Sequence, residues 1–219
     1  MPGIVELAPN IMYLPASHEP LSADVFAIQG ECAWWIFDVG DSKEALDFIN
    51  GLPCEAKGKR LAKNIVISHF HVDHMGNLLR ALRCEISMPF DELYVGTNTF
   101  KYTRIGQVVD KPMSFSDGVQ LQILPVPNSH AKGSLALVVN GEFAFLGDST
   151  YPQVRPGRDA YNVQLLGEEI KVLQGLNAKS FCLSHKKFVV KEKESVLSYL
   201  EKVYSKRQKN EPCIYVNEI

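Results

Sequence analysis

Cysteine is sparse and unpatterned. The five are Cys32, Cys54, Cys84, Cys182 and Cys213, an odd number with no CxxC pair. This argues against a thiolate-rich zinc site or a disulfide framework and fits reduced thiols, so a cytoplasmic protein is expected. No stretch of about 18 apolar residues occurs, so no membrane span is expected. Met1–Tyr13 lacks a basic start followed by an apolar run, so no signal peptide is expected either. Basic charge is not in excess: 23 Lys and Arg face 25 Asp and Glu, for a net charge of −2. Nucleic acid is therefore not an expected partner. No internal repeat and no low-complexity linker divides the 219 residues, which are 46% hydrophobic and 22% charged. A single domain over residues 1–219 is expected.

Histidine is scarce too, but its distribution is uneven. Of six histidines, five fall into one set with two aspartates. His69, His71, Asp73 and His74 crowd one short segment, and His130, Asp148 and His185 each follow an apolar run. His18 stands apart and reads as an ordinary surface histidine. In an extended segment, residues i and i+2 point the same way, so His69 and His71 can aim two imidazoles at one ion. Asp73 and His74 come as the chain turns into a helix and can aim at a second point. A closed structural zinc site needs four ligands, often thiolates. The surplus here suits two ions about 3.5–4 Å apart, with open positions for water and substrate. Such a pair needs a bridge, and Asp148 is a good candidate. Nitrogen and carboxylate ligands suit zinc, the expected ion, and also iron or manganese.

The pattern of elements supports this placement. Ile11–Leu14, Val25–Gln29 and Cys32–Phe37 read as strands, the last two joined by a turn at Gly30-Glu31. Asp41 with Glu44 resembles a capping box opening a helix to about Asn50, ended by Gly51 and Pro53. Asn64–Ser68 is a short apolar strand, and Leu78, Leu79 and Leu82 carry helical spacing, so the histidine-rich segment lies on a strand-to-helix loop. Leu93–Val95, Val119–Leu124 and Lys179–Leu183 read as further strands. Asn140-Gly141 between Ser134–Val139 and Glu142–Leu146 predicts a type I′ hairpin. Helices are expected from about Asn162 to Leu176, weakened by Gly167, and from Val190 to about Lys206. Pro89–Lys111, rich in Tyr, Phe and Thr with weak periodicity, reads as a lid or pocket wall. Of the adjacent Trp34 and Trp35, one is expected on each face of its strand. Two central sheets with helices outside follow.

The segments SHFHVDH at 68–74, NSHAKGS at 128–134, FLGDSTY at 145–151 and CLSH at 182–185 resemble the metallo-β-lactamase superfamily, as does WIFDVG at 35–40. The resemblance covers nearly the whole chain. It implies an α+β fold, the four-layer αββα sandwich of the glyoxalase II-like hydrolases, with metals at one edge between the sheets. It implies that His69, His71 and His130 hold one ion, that Asp73, His74 and His185 hold the other, and that Asp148 bridges them. Asp38 is then either a support behind a ligand or a turn residue. Tyr151, three residues after Asp148, matches a tyrosine that orients the substrate carbonyl in the family's lactone hydrolases. The departures narrow the choice. True β-lactamases match less well at Asp148. Thioesterases of the glyoxalase II type have a Gly-rich turn at the last histidine and an added helical region. RNA-processing relatives add an arm or domain. Iron-dependent reductases carry Glu at the place of His71 and a flavin-binding partner domain. The expected activity is hydrolysis of a small ester, thioester or lactone by hydroxide generated between two divalent ions, with Asp73 orienting it and moving a proton. A phosphodiesterase, or a catalytically silent metal-binding regulator, is the alternative. Lys132, Arg155, Arg158, Lys186 and Lys187 lie near the ligand segments and would favour an anionic small-molecule substrate. Nothing in the sequence sets an oligomeric state.

Overall fold

The structure is a computed structural model that describes residues 3–216. Two large sheets form its centre. In the first, the strands lie in the order Val5–Ala8, Ile11–Leu14, Val25–Gln29, Ala33–Phe37, Ala62–Val66, Glu92–Val95 and Gln107–Val108. Its first four strands are antiparallel, and the rest run parallel to Ala33–Phe37. The second sheet runs Met113–Ser116, Gln120–Val126, Ser134–Val139, Phe143–Gly147, Ser180–Leu183 and Val190–Glu192. Only Phe143–Gly147 and Ser180–Leu183 pair in parallel there, joined through a helix.

Ala33–Phe37 and Ser134–Val139 are buried at every position. Apolar runs without alternation mark strands covered on both faces. Between the sheets, Phe26, Trp35, Phe37 and Val66 meet Ile123, Leu135, Leu137 and Phe145. The outer face of the first sheet, with Trp34, Ile36 and Ile65, lies under helices α1 (Lys43–Gly51) and α2 (Val72–Leu82). Trp34 and Trp35 thus serve opposite faces, as expected. A short helix, α3 (Phe100–Thr103), follows. The outer face of the second sheet lies under α4 (Val163–Gly175) and α5 (Lys193–Ser205) through Leu166, Leu173, Leu197 and Leu200. The layers are α, β, β, α, as the α+β sandwich reading requires.

Local chemistry explains most element ends. Asn140 and Gly141 have φ of 53° and 64°, the positive pair that a type I′ turn demands. The Asn162 side chain caps α4 by accepting from the Leu165 amide. Gly167 is tolerated inside α4 because a Cβ there would meet the Tyr204 side chain of α5 at 3.1–3.2 Å, so the gap lets the helices approach. Three expectations need correction. Ser42, not Asp41, caps α1, and Asp41 instead pairs with Arg80 at 2.7 Å. Val190–Glu192 is a strand, because pairing with Ser180–Cys182 outweighs its helical pattern, and α5 begins at Lys193. Residues 89–111 hold a strand, a helical turn and an edge strand rather than a loop. No helix among the described residues is long and apolar enough to cross a membrane.

Candidate metal centre

Four chain segments that follow strand ends meet at one edge of the sandwich. The segment after Ala62–Val66 carries His69 and His71, and His71 is the N-cap of α2. Asp73 and His74 then fall in the helix's first turn, where a carboxylate is favoured by the helix dipole. His130 follows Gln120–Val126, Asp148 follows Phe143–Gly147, and His185 follows Ser180–Leu183. Gly147 allows the close fit, since its φ is +55° and a Cβ would lie 2.7 Å from Ser68 Oγ.

The seven side chains form two groups, His69 with His71 and His130, and Asp73 with His74, Asp148 and His185. Within each group the candidate ligand atoms lie within 4.8 Å of one another. In the first, His69 Nε2 and His130 Nε2 lie 3.0 and 3.1 Å from His71 Nδ1. In the second, His185 Nε2 lies 3.0 Å from Asp73 Oδ2 and 3.4 Å from His74 Nε2. One atom is common to both: Asp148 Oδ2 is 3.4 Å from His130 Nε2 and 3.4 Å from His74 Nε2.

Supporting hydrogen bonds orient the rings. Asp38 is fully buried, with φ of 59°, and accepts from the Ser68 amide and hydroxyl at 2.7 Å each. His74 Nδ1 lies 2.7 Å from Asp38 Oδ2, and His69 Nδ1 lies 2.9 Å from Ser68 Oγ. If both Nδ1 atoms carry the proton, His69 donates to Ser68, Ser68 and His74 donate to Asp38, and both Nε2 lone pairs face the cluster. Asp38 thus supports ligands of both groups. His130 Nδ1 contacts the Pro152 carbonyl at 3.3 Å, with the same consequence.

The groups differ in charge. Burial, reinforced by neighbouring imidazoles, pushes His69 well below its ordinary pKa, and burial also lowers His71 and His130. Each shift favours the neutral form, the state a ligand needs. In the second group burial opposes charge, but paired charges outweigh it. Asp73 is pulled down to about 2 through its bond with His185, Asp148 is lowered by His74, and His74 and His185 are raised by their carboxylates. A divalent cation would replace protons held between carboxylates and imidazoles. Among the described residues, Asp148 Oδ1 and His185 Nδ1 are buried without any partner, unmet polar atoms within the cluster. The donor set of nitrogens and carboxylate oxygens fits zinc, iron or manganese.

Two further residues bear on His185. Its backbone has φ of +60°, and its amide donates to Asp24 Oδ2 at 3.0 Å. Asp24 is 2% exposed and also accepts from the Ala16 amide. The Tyr151 hydroxyl donates to the Ser184 carbonyl, and burial pushes its phenol pKa up. The resemblance gives that hydroxyl the role of orienting a substrate carbonyl; here its partner is this backbone carbonyl. The peptide 184–185 is therefore clamped on both sides. Neither Asp24 nor Ser68 was assigned a role from sequence. Asp24 belongs to no motif, and only burial and its two amide partners reveal it. Of the basic residues near ligand segments, Arg155 bonds Gln153 and Arg158 lies over Tyr215, whereas Lys186 lies over Tyr151.

No family model and no curated protein matches the sequence. The structure matches a B3 metallo-β-lactamase with an active-site glutamic acid, at 12% identity and a TM-score of 0.68, over 94% of this chain and 90% of that one. The chain has the metallo-β-lactamase fold. A metallo-β-lactamase from Pontibacter korlensis matches at 16% identity and TM-score 0.65, over 94% of this chain and 99% of that one. An inverting sec-alkylsulfatase from Pseudomonas sp. matches at 12% and 0.66, over 94% of this chain but 42% of that one. The metallo-β-lactamase fold thus carries different chemistries, and at these identities the likeness extends to architecture alone.

Proposed function

We propose that this protein is a binuclear metal-dependent hydrolase of a small ester, thioester or lactone. The observation that carries the reading is the shared oxygen: Asp148 Oδ2 lies 3.4 Å from a histidine of each ligand group. His69, His71 and His130 would hold one divalent ion, Asp73, His74 and His185 the other, and Asp148 both. Zinc is the proposed ion. Bound there, two ions would acidify water and polarise a carbonyl. The chain's own residues do the rest. Asp38 keeps His74 in one tautomer directly and His69 through Ser68. Asp73, held by His185 on one side and anionic at neutral pH, orients water, accepts a proton from it and passes that proton to the leaving group. The water oxygen bonds the carbonyl carbon, the C–O or C–S bond breaks, and one water proton ends on the departing oxygen or sulfur. Ser68 Oγ is committed to Asp38 and does not act as a nucleophile.

Metal analysis of purified protein, joined to turnover of a lactone, a thioester and a bis-aryl phosphate before and after chelation, tests this. About two ions per chain and chelator-sensitive carbonyl hydrolysis are expected. Turnover of the phosphodiester alone selects the phosphodiesterase reading. Metal-loaded protein inert on all three selects a silent metal-binding role.

A further inference from the structure

The metal centre lies within an unbroken row of aromatic contacts with unlike ends. At one end Tyr102 stacks on Phe70, rings 5.5 Å apart and 13° from parallel. Phe70 meets His71 edge-on at 5.1 Å, His71 meets His130 at 4.7 Å, and His130 meets Tyr151 at 6.2 Å. Lys186 ends the row, its ammonium 4.7 Å from the Tyr151 ring centre. The Tyr102 end is apolar and open to solvent. Tyr102 is 56% exposed, and Val72, beside His71 in sequence, is 57% exposed. Large apolar groups left in water beside a reactive centre are available for a ligand to cover.

The other end is cationic. His18, Lys186 and Lys187 line a recess of about 340 Å³ that shares His185 as a wall with the metal centre. Among the described residues, none of the three pairs with a carboxylate. Asp24 also borders the recess, but its oxygens are occupied by the Ala16 and His185 amides. Two unpaired ammonium groups on a chain of net charge −2 make a local field opposite to the overall one.

We infer that the centre serves an amphiphilic, anionic substrate. Its apolar group lies on Tyr102 and Phe70, its carboxylate or comparable anion sits by Lys186 and Lys187, and its scissile carbonyl lies between them at the two ligand groups. This deepens the hydrolase reading and rests on it. It separates the two ends energetically, because an apolar contact and an ion pair respond to different substitutions.

The test crosses tail length with charge in a thioester panel, with acetyl or hexanoyl chains and with or without a carboxylate, placed on either side of the thioester. Wild-type protein is expected to favour hexanoyl over acetyl, and charged over neutral, by about tenfold each in kcat/KM, mainly through KM. Tyr102→Ala should collapse the tail ratio and keep the charge ratio. Lys186→Ala should do the reverse, and raised salt should weaken only the charge ratio. Ratios that stay as in wild type in both variants overturn the inference. If loaded protein hydrolyses no probe, the hydrolase reading has failed, and calorimetric binding of hexanesulfonate against ethanesulfonate still decides this one. Tighter binding of the longer sulfonate that is lost in Tyr102→Ala, with both weakened in Lys186→Ala, supports it. Equal binding of the two by all three proteins overturns it.

Discussion

Buried carboxylates are treated in opposite ways in two regions of the molecule. At the edge shared by the two sheets, Asp73 and Asp148 lie beside imidazoles. In the outer layer, Glu169 of α4 is fully buried and, among the described residues, neither of its oxygens has a partner. Burial alone pushes Glu169 well above its ordinary pKa, whereas partners lower buried Asp148 and hold half-buried Asp73 near 2. The contrast separates a cluster organised for charge from a lone acid whose neutral form burial favours. Burial is common to both, so compensation by donors and cations is what marks the functional region.

The strongest way to break this comparison is Asp148→Ala. Its oxygen is shared by both groups, so metal content should fall toward zero and activity by more than about a hundredfold. His69→Ala removes a ligand from one group only and should leave about one ion per chain. Equal metal loss in the two variants would sink the assignment of Asp148 as the shared ligand.

A supporting residue should cost less than a ligand. Asp38→Asn keeps the shape but leaves one acceptor oxygen where Ser68 and His74 need two. Metal affinity in a chelator competition should fall about 10–100-fold. Because Asp38 reaches His74 directly and His69 through Ser68, both ions should be weakened, and loss confined to one would remove the relay.

Asp24→Ala tests the clamp on His185. Only the second group depends on it, so one ion should dissociate about tenfold more readily while the other is retained. In cobalt-substituted protein, a visible spectrum altered for one ion alone is the expected signature. Unchanged spectra and affinity would reduce Asp24 to a loop anchor.

The smallest expected effect lies in the other region and depends on pH. An unfolded glutamate ionises near 4.5, while folded Glu169 keeps its proton to well above that value. Between those limits the unfolded state releases the proton first, so rising pH lowers stability. Glu169→Gln removes that slope. Thermal unfolding of the metal-free protein should show a higher Tm than wild type at pH 8 and little difference at pH 4, a gap of a few degrees for about 1 kcal/mol. A gap of the same size at both values would mean that Glu169 does not titrate as its burial requires.

Sequence spacing alone determined the parts set within one element or one turn. His69, His71, Asp73 and His74 lie on a single strand-to-helix passage, so their convergence follows from local geometry. The Asn140-Gly141 turn and the Asn162 cap are local in the same sense. The order of strands and helices also sufficed for the αββα layering, because apolar runs demand cover on both faces. Only the tertiary structure decided the contacts between distant segments. Asp24 reaches the His185 amide across 161 residues of chain, Tyr151 meets the Ser184 carbonyl, and Val190–Glu192 becomes a strand because Ser180–Cys182 lies beside it. Periodicity carries information only along the element that repeats it. Which backbone groups remain to be satisfied where two sheets meet depends on how those sheets pack, and no local pattern records that.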